Sequence, residues 1–194
     1  MKGKFSTLLL VFGFLISLST TASAAVDWKI SESNLTVGNA LKIKGTASPG
    51  ETIKTEISFD KKLSVSKGKY RYLVENIEIP PMPNNLFTVT VEGVQSLNVG
   101  VKNGIWVTYS PKVSGGIATV TQANMPARTY SVLVSGDAIK EKADVNLKVK
   151  AYQTSKADST GKFEYIINTS TMPPGKYKVK IGNSEKTIEL KSKK

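Results

Sequence analysis

Apolar and polar residues alternate in short runs along most of this chain, and no stretch of about ten residues or more keeps a helical apolar period. A period of two sends successive side chains to opposite faces of a strand, so a chain patterned this way buries its apolar residues only as sheet. The runs fall at 41–44, 53–59, 70–74, 87–91 and 97–101, then at 117–121, 130–134, 145–149, 163–167, 177–181 and 188–190. Turn-forming residues separate them: Ser48-Pro49-Gly50, Lys67-Gly68, Ser114-Gly115-Gly116, Asp158-Ser159-Thr160-Gly161, Pro174-Gly175 and Gly182-Asn183. The fold class expected is all-β.

The runs also repeat. Gly68-Lys69-Tyr70-Arg71-Tyr72-Leu73-Val74 matches Gly161-Lys162-Phe163-Glu164-Tyr165-Ile166-Ile167, 93 residues later, and Pro80-Pro81 meets Pro173-Pro174 at the same offset. Leu41-Lys42-Ile43-Lys44-Gly45 matches Val132-Leu133-Val134-Ser135-Gly136 in pattern, and Ile53, Ile57 and Phe59 match Val145, Val149 and Ala151. A period this long predicts two tandem domains, not a short-repeat solenoid. The turn Lys102-Asn103-Gly104 divides them into 25–103 and 104–194. Several short strands with regular turns in each copy make the pattern of an Ig-like β-sandwich, without the cysteine pair of antibody domains.

The stretch 161–182, G-K-F-x-Y followed by M-P-P-G-x-Y-x-V-x-I-G, together with the turn Ser48-Pro49-Gly50-Glu51, resembles the tandem Ig-like repeats of exported archaeal and bacterial surface proteins. The resemblance implies spacing, adhesion or envelope attachment, and brings no catalytic residues with it. The first copy departs from it at Pro80-Pro81-Met82-Pro83-Asn84-Asn85, where a Pro-Gly-x-Tyr turn would stand.

The N-terminus carries an address. Lys2 and Lys4 precede an apolar run at 8–18, and Ala22-Ser23-Ala24 supplies an A-x-A cleavage site. These features predict a signal peptide at 1–24. The run is shorter than the roughly 20 residues a membrane helix needs, and no second apolar span follows. The mature chain is therefore expected to be secreted or extracellular, released or held peripherally at the cell surface, with no integral membrane span.

The chain has no cysteine and no histidine. Disulfides, Cys/His zinc sites, thiol nucleophiles and imidazole catalysis are thereby excluded. Acidic residues are scattered, with neither metal-ligand spacing nor an obvious catalytic pair. Asp158 in Asp158-Ser159-Thr160-Gly161 reads as a hairpin-turn acceptor. We expect no enzyme activity, no cofactor and no metal, with a small secreted hydrolase as the remote alternative. Asn34-Leu35-Thr36 and Asn168-Thr169-Ser170 are N-glycosylation sequons, which makes Asn34 and Asn168 candidate modification sites.

Charge is the remaining signal. The chain has 27 Lys+Arg against 15 Asp+Glu, a net +12. Residues 25–103 carry a net +2 and residues 104–194 a net +8. Alternation points Lys148 and Lys150 outward on one strand and Lys176, Lys178 and Lys180 outward on another. An Ig-like topology would make these strands neighbours, giving a cationic face for an acidic polysaccharide or an acidic surface protein. The matching first-copy positions hold Lys54, Glu56 and Ser58, then Thr88 and Thr90, so the fold itself does not call for lysine there. No nucleic-acid partner is expected, because aromatics and arginines are not interleaved with these lysines. Trp28 and Trp106 are candidates for stacking on a sugar ring, although Trp106, beside Ile105 and Val107, also suits packing between the domains. The function expected is that of an exported, non-enzymatic binding or structural protein of the cell envelope, with a carbohydrate-binding module as the alternative.

Overall fold

The structure is a computed structural model that describes residues 26–81 and 83–193. The leader expected at 1–24 lies outside the described residues, and so does Met82. The described chain is all strands, turns and loops. In order these are β1 (Asp27–Ile30), β2 (Asn34–Thr36), β3 (Ala40–Thr46), β4 (Thr52–Ser64), β5 (Lys69–Ile79), β6 (Leu86–Glu92), β7 (Asn98–Asn103), β8 (Ile105–Tyr109), β9 (Ile117–Ala123), β10 (Arg128–Asp137), β11 (Asp144–Lys156), β12 (Lys162–Asn168), β13 (Gly175–Ile181) and β14 (Ser184–Lys191). The alternation behind this pattern is visible in β13, where Tyr177, Val179 and Ile181 are buried while Lys176, Lys178 and Lys180 are exposed.

The strands form three sheets: β1-β3-β12, β5-β10-β7-β8, and a seven-stranded sheet β2-β14-β13-β4-β11-β6-β9. Every pairing is antiparallel except β2 with β14. The seven-stranded sheet backs both hydrophobic cores. Toward one end Trp28, Leu41, Ile43 and Phe163 from the three-stranded sheet meet Ile53, Tyr177, Val179 and Ile188 from the large one. Toward the other, Tyr70, Val99 and Val134 from the four-stranded sheet meet Leu63, Val91, Val145 and Leu147. The 13-residue strands β4 and β11 pair along their whole length, from Thr52 opposite Lys156 to Ser64 opposite Asp144. Tyr72 of β5 packs against both cores.

The division at residue 103 does not survive this pairing. β12 pairs with β3, β10 lies between β5 and β7, and β11 lies between β4 and β6. Each sheet and each core thus draws on both 25–103 and 104–194. The Lys102-Asn103-Gly104 turn joins β7 to β8 within one sheet, with Asn103 opposite Ile105 and Gly104 at φ 82°. The segments that match in sequence occupy matching places in this exchange. Leu41 lies opposite Ile167, and their counterparts Val132 and Val74 lie opposite each other.

Two glycines permit the exchange. Gly45 of β3 lies opposite Phe163, whose ring occupies the space a Cβ would need. Its counterpart Gly136 lies opposite Tyr70, whose hydroxyl sits 2.7 Å from a Cβ position there. Each glycine admits an aromatic side chain contributed by the other half of the chain.

Candidate functional site

The lysines singled out by alternation all lie on the outer face of the seven-stranded sheet, but their strands are not neighbours. β4 runs between β13 and β11. Its outward residues therefore stand inside the lysine cluster, and two of them are acids. Ser58 lies opposite Lys178 on one side and Lys150 on the other. Glu56 lies opposite Lys180 and Tyr152, and Asp60 lies opposite Lys148. An unbroken lysine patch is thus corrected to a cationic face with a carboxylate stripe through its middle. The positions that served as a first-copy control belong to the same surface.

The stripe neutralises part of the charge. Lys150 Nζ pairs with Glu56 Oε1 at 2.8 Å, and Lys148 Nζ lies 3.5 Å from Asp60 Oδ1. Lys178 turns to Glu185 Oε1 on β14, at 3.3 Å. The hydrogen bond to the Glu56 carboxylate holds Lys150 above the usual lysine pKa. Among the described residues no ion pair engages Lys176 or Lys180. Lys54 and Lys62 of β4 face the same way. The three adjacent strands keep an excess of outward positive charge over Glu56, Asp60 and Asp144.

The two tryptophans separate. Trp28 is 2% exposed in the first core, with Lys186 Nζ 4.6 Å from its ring centroid and donating to its backbone carbonyl. Among the described residues its indole N–H has no hydrogen-bond partner. Burial removes Trp28 as a stacking residue, since β1 faces it into the core beside Ile43 and Phe163. Trp106 is 46% exposed. It lies on the outer face of the four-stranded sheet, with ring carbon Cε3 3.1 Å from where a Cβ would stand on Gly100. Lys102 Nζ is 6.0 Å from its ring centroid. Packing between two domains is not its role, because no such junction exists beside it.

Asn34 and Asn168 are both exposed, at the start of β2 and the end of β12. The Asn168 amide donates to Glu78 Oε2 at 3.3 Å, and its carbonyl accepts the Ser170 N–H at 3.0 Å. Asp158 closes its hairpin by accepting from the N–H groups of Lys162 and Thr160 and from the Thr160 hydroxyl, at 2.8–2.9 Å. Those bonds, led by the one from Lys162, hold its carboxyl below the usual range. Gly161 supplies the positive φ of 79°, and Gly68, its counterpart, 75°.

One polar cluster carried no signal in the sequence. Asp137 takes the Lys69 ammonium at 2.7 Å and the Ser96 hydroxyl at 2.8 Å, and Ser96 Oγ accepts the Asp137 N–H. Tyr70 donates to the Ser96 carbonyl at 2.8 Å. These residues are far apart in the chain, and the contacts tie β5, β10 and the loop before β7 together. Among the described residues no group of three or more acidic side chains could hold a metal, and no helix is long and apolar enough to cross a membrane. Comparison with protein families, curated proteins and solved structures found no match.

Proposed function

We propose that the chain is an exported, non-enzymatic protein of the cell envelope, built from a duplicated Ig-like unit, that holds an acidic polysaccharide against the β13–β4–β11 face. One observation carries this reading. Three adjacent strands present a sheet face on which lysines outnumber carboxylates, and among the described residues no ion pair engages Lys176 or Lys180. A cationic sheet face suits an extended polyanion, which needs many weak contacts rather than a cavity. The exchanged pairing of Leu41 with Ile167 and of Val132 with Val74 supports the duplication, and the two cores between facing sheets support the sandwich architecture.

The test is co-sedimentation of the whole protein with purified cell envelopes and with polygalacturonate, at low and high salt. Retention that falls steeply with salt, and weakens roughly tenfold or more in the Lys176→Glu/Lys180→Glu double variant, is expected. Equal retention of the double variant would remove this face as the contact. Binding to envelopes but not to the polysaccharide would direct the search to an acidic surface protein.

A second reading rests on Trp106. A half-exposed indole packed beside Gly100 on the outer sheet face suits sugar stacking. It predicts salt-insensitive binding to neutral glycans that is lost in Trp106→Ala.

A further inference from the structure

Among the described residues, strand β8 ends the four-stranded sheet with only β7 beside it, and β9 ends the seven-stranded sheet with only β6 beside it. Direct connections join β4 to β5, β6 to β7, β8 to β9 and β10 to β11, so the two sheets run in the same order and both finish on one side of the molecule. That side lacks charge. Neither β8 (Ile-Trp-Val-Thr-Tyr) nor β9 (Ile-Ala-Thr-Val-Thr-Gln-Ala) holds a charged residue, and from 103 to 123 only Lys112 is charged. The other edge strands are guarded. β1 has Asp27 and Lys29, β12 has Lys162 and Glu164, and β5 has Lys69, Arg71, Glu75 and Glu78. The remaining edge, β2, is three residues long. Charges and short edges are the ordinary means of keeping strands from pairing with other chains, and β8 has neither.

β8 is also apolar on both faces. Ile105 is 76% exposed, Trp106 and Val107 46%, and Tyr109 38%. Val107 and Tyr109 lie opposite Val101 and the buried Val99, on the core side of the sheet. Val113 of the β8–β9 connection packs against the second core here, but Val107 and Tyr109 stay well exposed at its rim.

We infer that β8 pairs antiparallel with β8 of a second copy of this chain, about a two-fold axis through Val107. The sequence of the strand complements its own reverse. In that register Val107 meets the second copy's Val107, Ile105 meets its Tyr109, and Trp106 meets its Thr108. Aromatic residues thereby face β-branched ones and no charges are opposed, the favourable class of cross-strand pair. Neutrality matters in a chain of net +12, since elsewhere two copies would bring lysines together. The pairing continues the four-stranded sheet into eight strands, extends the core past Val107, and brings the uncharged β9 edges toward each other. A two-fold normal to the sheets points both β13–β4–β11 faces the same way, giving an extended polymer two contacts instead of one. A five-residue strand pair with its flanking edge is near the lower limit of about 1,000 Å² for a specific interface. The dimer is therefore expected to dissociate on dilution.

The experiment is sedimentation velocity on the whole protein across a concentration series, beside Val107→Lys, which opposes two lysines at the axis. The wild type should shift from monomer to dimer as concentration rises, and Val107→Lys should stay monomeric with an unchanged far-UV circular dichroism spectrum. Because the chain has no cysteine, Val107→Cys adds a single reporter thiol. Directly opposed residues of an antiparallel pair have Cα atoms about 4.5–5.5 Å apart, within the roughly 4.4–6.8 Å that a disulfide spans. Val107→Cys should oxidise to a linked dimer many times faster than Ile166→Cys, which lies at the exposed edge of β12. Three results would each overturn the inference: a wild type monomeric at every concentration, a dimer that persists in Val107→Lys, or equal cross-linking of the two cysteine variants. Growth into open-ended fibres would reject the closed two-fold pairing as well.

Discussion

Ser58 and Lys150 face each other at the midpoint of the 13-residue pairing between β4 and β11. On its other side Ser58 faces Lys178, and it is only 7% exposed between the two lysines. Six residue pairs extend from this point toward each end, and each end of the ladder backs a different core. The pairing is the seam along which the two halves of the chain are laid together.

Neither half should fold alone. Residues 26–103 without 104–193 lose β12 from beside β3 and β11 from beside β4, which strips both cores. Each half expressed separately is expected to be unfolded or self-associated by circular dichroism and light scattering, whereas the whole chain unfolds as one unit. A monomeric, cooperatively folding 104–194 would contradict the interleaved fold.

Gly45→Ala and Gly136→Ala should each destabilise the protein. A methyl group at Gly45 meets Phe163 and the Asp27 carbonyl, and one at Gly136 meets the Ser96 carbonyl and the Tyr70 hydroxyl. Overpacking of this kind costs about 1–3 kcal/mol. Unfolding free energies from denaturant titration should fall by that amount for both, while Gly38→Ala, with nothing near its Cβ position but φ at 101°, reports backbone strain alone.

Stability should be level across neutral pH and fall at both extremes. With no histidine or cysteine, no side chain has an ordinary pKa between the carboxylates and the tyrosines and lysines. Asp137, held low chiefly by Lys69, and Asp158, held low by its turn, contribute stability above their unfolded pKa of about 3.9, and it is lost as the pH falls through their folded values. Burial raises Tyr70 and Tyr177 well above the usual phenol pKa, and Glu56 raises Lys150. Their contributions are present below about pH 10 and are lost as the pH climbs toward the folded values. Melting temperatures should be flat between about pH 5 and 9. Tyr177→Phe, which gives up the 2.6 Å bond to the Pro173 carbonyl, should soften the alkaline decline and cost about 1 kcal/mol at neutral pH. A transition near pH 6–7 would contradict this account.

The two tryptophans should be distinguishable by fluorescence. Trp106→Phe leaves Trp28, whose emission should be blue-shifted and protected from iodide. Trp28→Phe leaves Trp106, whose emission should be red-shifted and readily quenched. Truncating Trp28 to alanine should cost about 3–5 kcal/mol, as expected for an aromatic residue lost from a core. Trp106→Ala should cost far less. Similar quenching of the two single-tryptophan proteins would contradict the burial of Trp28.

Much of this protein was legible in the sequence because it is a local property. A period of two settles which side chains share a face, so the five lysines could be placed on outward positions from alternation alone. Turn chemistry is equally local, and Gly68 and Gly161 stand at positive φ where the turn signals put them. Choice of neighbour is different. The two halves carry the same alternation, so β3 could pair with its own half or with β12 without any change in local preference. Long-range packing decides, through Phe163 over Gly45 and Tyr70 over Gly136. From that choice follow the insertion of Glu56 and Asp60 among the lysines and the loss of a domain boundary at residue 103. The contrast between Trp28 and Trp106 has the same origin. Trp28 alternates with Asp27 and Lys29 whereas Trp106 lies in an apolar run, and the position of each strand in the sheets put the first in a core and left the second on an open edge.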